Sequence, residues 1–274
     1  MDKILIIGAD GQLGKELSKI FPDSIKLYHK NHDSFNIDLS NKNEIKNKLH
    51  SIKPDIIINA ASITNVDKCE ELQDYAYRVN GYSLKIITEY SRTKDIPLIH
   101  VSTDYVFKGD SSLYKESSIP NPVNYYGLSK LVGDIYVNSY YKSLIVRTSG
   151  VYGHKNNFPL FVYNSLKENK EVNIINGYYS PIHSYNLAKT INELLNLEIY
   201  GIINVAGIRI SRFEFANKIA EYFNLDMNLI KELNVNFKAR RPYDSSLNIN
   251  KVKSLINFDF YSLDSNLKIF KNNL

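Results

Sequence analysis

Tyr126 and Lys130 stand four residues apart in the stretch Tyr126-Gly127-Leu128-Ser129-Lys130. On a helix that spacing brings a phenol and an ammonium to one face. A free phenol, with a pKa of about 10, gives up its proton reluctantly at neutral pH, and a cation within reach favours the phenolate. The pair is therefore expected to do acid and base work. Tyr125 has only Ser129 at that spacing and gains no such partner. Because 21 tyrosines make the pattern easy to meet by chance, it needs support from the rest of the chain. Leu128, Leu131, Val132 and Ile135 fall at i, i+3, i+4 and i+7, which predicts a packing stripe nearly opposite Tyr126 and Lys130. That places the two polar groups off the main apolar face.

A third group comes from Ser102-Thr103-Asp104, which follows the apolar run Pro97-Leu98-Ile99-His100-Val101. In an open parallel sheet, ligands bind at the carboxyl ends of strands, so a Thr103 hydroxyl is placed to meet the phenol; the alternative is a hydroxyl that merely caps a turn.

The elements that must hold these groups begin with Lys3-Ile4-Leu5-Ile6-Ile7, a strand signal, followed by glycines at 8, 11 and 14 and an amphipathic segment through Leu17 and Ile20. Strand, glycine turn and helix in that order let backbone N–H groups and the positive helix end approach a pyrophosphate, so Gly8, Gly11 and Gly14 are expected to bind a dinucleotide. The next strand, over 25–28, runs into His29 and Lys30 without the carboxylate that would grip the ribose hydroxyls of NAD. Basic groups there suit a 2′-phosphate, so NADP(H) is the expected cofactor, with NAD(H) as the alternative. Asn41 and Glu44 are spaced as an N-cap box for the helix that follows, and Asp38 is either a turn residue or an adenine contact.

Asp55-Ile56-Ile57-Ile58-Asn59-Ala60-Ala61 is a buried-type strand ending in small residues, a helical pattern covers 72–94, and Ser143-Leu144-Ile145-Val146-Arg147 is a further strand. Alternating strands and helices predict a doubly wound parallel α/β sheet over 1–150. Beyond it, helices over 158–169, 184–197 and 211–224 and strands over 172–174 and 201–206 predict a smaller C-terminal lobe over 151–274, with 184–207 returning to the core. The adjacent pair Arg240-Arg241 suits bidentate contact with phosphate groups; the alternative is a pair of surface ion pairs. His183, a lone histidine, is expected to be structural.

At 274 residues and 43% hydrophobic content the chain can bury a sizeable core. A single cysteine, Cys69, excludes an internal disulfide and makes no metal site by itself. Net charge is +5, from 34 basic and 29 acidic residues without a dense basic block, which argues against a nucleic-acid partner. No apolar run approaches the roughly 18 residues of a membrane span. A cytoplasmic protein is expected.

The ordered set resembles the extended short-chain dehydrogenase/reductase family and, within it, the dTDP-4-dehydrorhamnose reductases. The resemblance is carried by Gly8-Ala9-Asp10-Gly11-Gln12-Leu13-Gly14, Pro54 to Ala61, Val66-Asp67-Lys68, Val101 to Phe107, Tyr126 to Leu131, Arg147-Thr148-Ser149, Val151-Tyr152-Gly153, Asn157-Phe158 and Arg240-Arg241-Pro242. It implies a Rossmann fold and hydride transfer from NAD(P)H to the 4-keto carbon of a nucleotide-linked deoxysugar, dTDP-4-dehydro-L-rhamnose. Tyr126 would protonate the keto oxygen, Lys130 would lower the phenol pKa and hold the nicotinamide ribose, and Thr103 would hydrogen-bond the same oxygen. Gly11, Gln12, Leu13, Asp38, Leu39 and the strand end Ala60, Ala61, Ser62, Ile63 and Thr64 match cofactor contacts; Val66 and Asp104 match substrate contacts.

Two departures stand out. Gly150 replaces a tryptophan usual in the family, so a stacking surface for the sugar is expected to be missing. The family's Gly-x-Pro-Thr segment appears as Ser180-Pro181-Ile182-His183. A competing reading is a non-enzymatic NADP-binding regulatory subunit, similar to the β subunit of methionine adenosyltransferase. A dehydratase is disfavoured, because Asp104-Tyr105 stands where an Asp-Glu pair is usual. A homodimer is compatible with either reading.

Overall fold

The computed structural model describes residues 2–29, 35–155, 157–233 and 238–274. Its centre is a parallel sheet formed by β1 (Ile4–Ile7), β2 (Ile25–Leu27), β3 (Ile56–Asn59), β4 (Leu98–Thr103), β5 (Ser143–Thr148) and a sixth strand, Gly201–Asn204. The spatial order is β2, β1, β3, β4, β5 and then Gly201–Asn204. These strands read as unbroken apolar runs because helices cover both faces. Alternation sends Ile6, Ile58 and Val146 into one cluster and Leu5, Ile7, Ile57 and Ile145 into the other.

Helix α1 (Gln12–Ile20) covers the first face; α2 (Lys42–Ile52) covers the second. Two short helices, α3 (Val66–Glu71) and α4 (Gln73–Tyr77), lead through a single π turn, Arg78–Tyr82, into α5 (Ser83–Lys94). Together α4, the π turn and α5 make the long helix expected over 72–94. Then α6 (Tyr125–Asn138) packs beside α5 under the second face. Asn41 caps α2 as its type predicts, but Glu44 turns to the Asp38 N–H at 3.0 Å instead of closing a box.

After β5 the chain builds a third apolar cluster around Tyr152, Val162, Phe215 and Phe270. It includes α7 (Phe158–Lys167); the next helix, α8 (Ser184–Asn196), leaves it to pack beside α1 and deliver Gly201–Asn204 to β5. Helix α9 (Arg212–Phe223) returns to the lobe behind a capping box of Ser211 and Glu214. His183, fully buried, accepts from the Tyr185 N–H at the start of α8, and its pKa is lowered to about 4 by burial. The direction of chain growth reverses between β1 and β3, which opens a crevice at their carboxyl ends.

Candidate active site

The glycine turn after β1 is shaped by contacts that no side chain could share. Gly8 has φ +85°, and a Cβ there would lie 2.7 Å from the Ala61 nitrogen. A Cβ on Gly14 would sit 2.0 Å from the Gly8 carbonyl oxygen, so α1 rests directly on the turn. No side chain caps the start of α1 and no acidic residue lies in its first turn, which keeps that end suited to an anion. Beside it is a cavity of about 270 Å³ lined by Gly8, Gly11, His29, Asp38, Leu39 and the small-residue strand end, Ala60, Ala61, Ser62 and Ile63. Asp38 also accepts from the Ser40 N–H at 2.8 Å, so it both makes a turn and faces the crevice. Tyr28 and His29 follow β2 without a carboxylate; Lys30 lies outside the described residues. The crevice fits a dinucleotide.

A second cavity, of about 590 Å³, adjoins the first and shares Gly11, Ala60 and Ser62 with it. Gln12, Leu13, Thr64 and Val66 form its near side; Thr103, Asp104, Tyr126 and Lys130 form its floor. The sequence-predicted acid, cation and hydroxyl are thus brought together. Helix α6 achieves this by an orientation opposite to the expected one. Tyr126, Ser129, Lys130 and Asp134 lie on its buried face, whereas Leu128 and Ile135 are 45% and 61% exposed. Apolar spacing misled because close contact, not greasiness, selects this face. A Cβ on Gly127 would lie 2.1 Å from the Tyr105 oxygen, and one on Gly133 would lie 2.4 Å from the Asn80 oxygen.

Lys130 is 1% exposed, and its ammonium donates to the Val101 carbonyl at 2.8 Å, with His100 Nε2 at 3.3 Å. Burial lowers its pKa to about 8. Next on the same face, Asp134 pairs with Arg147 at 3.3 Å, both wholly buried, and His100, held neutral by burial, lies 3.7 Å from Asp134. The Thr103 hydroxyl lines the same cavity and works against the upward push on the Tyr126 phenol. In the protein alone, that phenol is pushed up by burial, not lowered by Lys130, because the ammonium is drawn to the Val101 carbonyl. The expected acidification is not what the fold by itself supplies.

Asp104 faces the cavity but is engaged by the protein: Ser149 donates to it at 2.6 Å, Ser245 at 2.5 Å and Thr103 at 3.0 Å. Above it, Gly150 has φ +48° and an ideal Cβ would lie 2.5 Å from Cε2 of Tyr179, whose ring fills that space. No side chain at position 150 itself offers a stacking surface, and the ring beside it comes from the two-residue strand Tyr178–Tyr179. Arg240 and Arg241 line a third cavity, of about 600 Å³, that shares Tyr105 and Arg212 with the second. Arg241 is also tied to Asp67 at 2.8 Å, which anchors the arginine segment to α3.

Several residues at the site were not foreseen. Arg212 sits at the first position of α9, where the helix dipole disfavours a cation, and that mismatch was a readable signal. His100 was another, a titratable group inside a buried strand. Asn80 was hidden: within the π turn its side-chain oxygen accepts from the Ile63 N–H at 2.9 Å and its amide donates to Ser129 at 3.1 Å, joining the crevice wall to α6.

Fold and site together define a Rossmann-type protein of the extended short-chain dehydrogenase/reductase class. The chain belongs, within that class, to the family described as RmlD substrate binding domain, whose model matches residues 1–273. It is 32% identical over 273 residues to a dTDP-4-dehydrorhamnose reductase of Aggregatibacter actinomycetemcomitans, covering 92% of each chain. A hypothetical dTDP-4-dehydrorhamnose reductase from Sulfolobus tokodaii superposes with a TM-score of 0.91 at 46% identity, over 96% of this chain and 97% of the other. The corresponding reductase from Bacillus anthracis, crystallised in complex with NADP, gives 0.90 at 31% identity over 100% and 99%.

The buried Asp134–Arg147 pair makes a stability prediction. Arg147→Met leaves a carboxylate without its cation and should destabilise the protein by about 3–5 kcal/mol at pH 7, read by urea unfolding. Asp134 then has a folded pKa raised above its unfolded one, so the deficit should shrink as pH falls and level off only below the unfolded value of about 4, where the carboxyl becomes protonated in both states. A deficit that stays constant as pH falls would refute the electrostatic account.

Proposed function

We propose that this protein reduces the 4-keto group of a nucleotide-activated deoxysugar with NADPH, converting dTDP-4-dehydro-L-rhamnose to dTDP-L-rhamnose. The observation that carries the reading is the position of Thr103, Tyr126 and Lys130 on the floor of a cavity that continues on one side into the glycine crevice and on the other into the arginine-lined recess. A dinucleotide, a sugar and a nucleoside diphosphate need three such regions in that order. The family and its named reductases support the same activity.

Gly8, Gly11, Gln12, Leu13 and Gly14 would hold the cofactor diphosphate, Asp38, Leu39 and Ile63 the adenosine, and Ala60, Ala61, Ser62 and Thr64 the approach to the nicotinamide. His29, with Lys30 beyond it, favours NADP(H) over NAD(H), and the Bacillus anthracis relative was solved with NADP. NADPH, when bound in the crevice, would supply the hydride that reduces the carbonyl carbon. The oxygen then needs a proton, and Tyr126, kept protonated by burial, donates it while Thr103 hydrogen-bonds the same oxygen. Lys130, buried on the same face of α6 and lining the same cavity, would bring a positive charge to the site and hold the nicotinamide ribose. Val66 and Asp104 border the sugar, and Arg240 and Arg241 face the substrate diphosphate. The regulatory-subunit reading is less well supported, because the acid, cation and hydroxyl are all intact beside an open cavity.

This reading includes a cytoplasmic location. It also includes a second copy of the chain against α6, where Leu128 and Ile135 face outward.

Three outcomes test these statements. Tyr126→Phe should lower kcat about 10²–10⁴-fold while NADPH affinity stays near wild type, followed by absorbance at 340 nm with dTDP-4-dehydro-L-rhamnose. Undiminished turnover would remove Tyr126 from the mechanism. A lysine with a lowered pKa is cationic below that value and neutral above it, so kcat/KM should fall as pH rises through about 8; a level profile from about pH 7 to 9 contradicts the role given to Lys130. Ile135→Asp should convert a dimer to a monomer in light scattering, and a wild-type protein that is already monomeric sinks the dimer.

A further inference from the structure

Tyr179 stands out among the residues around the catalytic cavity. It lies on the two-residue strand Tyr178–Tyr179, which pairs antiparallel with Ile210–Ser211. Phe158 and Phe215 meet its ring edge to face at 6.5 and 6.3 Å, and the Arg212 guanidinium lies over it at 4.9 Å. The ring is thus fixed from several sides. Its hydroxyl is buried yet has no hydrogen-bond partner among the described residues, while the ring lines the cavity that holds Thr103 and Tyr126. A buried hydroxyl without a partner is costly in free energy, and such a group beside a reaction cavity calls for a ligand atom. Gly150 completes the arrangement, since its Cβ would lie 2.5 Å and 2.7 Å from two ring carbons of Tyr179.

Resting on the reductase reading, we propose that Tyr179 is the residue that recognises the sugar: its ring packs against the pyranose and its hydroxyl hydrogen-bonds one of the sugar oxygens. Gly150 is glycine because any side chain there displaces that ring. Positions 150 and 179 therefore form one exclusive choice, an aromatic group from one lobe or from the other, but not both. A pyranose of a 6-deoxyhexose has both the apolar C–H face and the hydroxyls that such a ring with a polar tip can meet. Arg212, stacked on the same ring and reaching the arginine-lined recess, links sugar recognition to the diphosphate side.

The test compares wild type, Tyr179→Phe, Gly150→Trp and the double variant Gly150→Trp/Tyr179→Gly. Binding of dTDP-L-rhamnose is measured by calorimetry, NADPH binding by fluorescence, folding by melting temperature, and KM and kcat separately. Tyr179→Phe keeps the packing and should weaken the sugar nucleotide about three- to tenfold in Kd and KM, with NADPH affinity and melting temperature unchanged. Gly150→Trp should cost more than about tenfold in sugar binding by evicting the ring, and removing that ring in the double variant should restore most of the loss. A Tyr179→Phe variant equal to wild type, or a double variant no better than Gly150→Trp, overturns the inference. Wild-type protein that binds no dTDP-L-rhamnose and oxidises no NADPH with the keto sugar overturns the reductase reading and this inference with it.

Discussion

An ammonium held in the interior of the protein is the constraint around which the catalytic half of the molecule is arranged. A buried cation is tolerated only where carbonyls and carboxylates replace its water. Lys130 obtains the Val101 carbonyl from β4, and Asp134, one further turn along α6, contributes favourable charge in turn shared with Arg147 from β5. To bring these groups together, α6 must lie nearly on the strands and on the π turn, and Gly127 and Gly133 permit it. The Tyr126 phenol is carried to the cavity floor by the same close approach.

Much of this frame was legible in the chain. The parallel strands announced themselves as apolar runs, the glycine turn stood between strand and helix, and Ser211 with Glu214 marked the start of α9. That Thr103 and Tyr126 meet at one cavity was legible because strand ends and helix starts fix where a side chain points. The orientation of α6 was misread for a physical reason. Hydrophobic periodicity assumes that water decides which face turns inward, and here buried polar groups with mutual partners decide it. Tyr179 escaped notice because its significance depends on the left-handed backbone of Gly150, a tertiary fact invisible in either segment alone.

The cavity linings come from two kinds of chain segment. The sheet and its crevice hold groups common to dinucleotide chemistry, all on strand ends or helix starts whose geometry the fold dictates. The chain after β5 contributes Tyr179, Arg212 and the Arg240-Arg241 segment, drawn from a short strand, one helix start and irregular chain. Rigid positioning suits the reacting groups, whereas short irregular segments can change a contact without disturbing the sheet.

Burial of the phenol also bears on the direction in which the site is poised. Oxidation of an alcohol requires Tyr126 to begin as phenolate, and a phenol raised above its ordinary pKa is almost never in that form at neutral pH. Reduction requires it to begin protonated, which is its resting state. The alkoxide formed at the carbonyl is a far stronger base than a phenolate, so the proton still moves downhill despite the raised pKa. Lys130, on the same buried face of α6 and lining the same cavity, supplies a positive charge to the site in which a phenolate would form. The resting protonation state of the buried phenol therefore matches the acid role proposed for it in reduction and opposes the base role that oxidation would need.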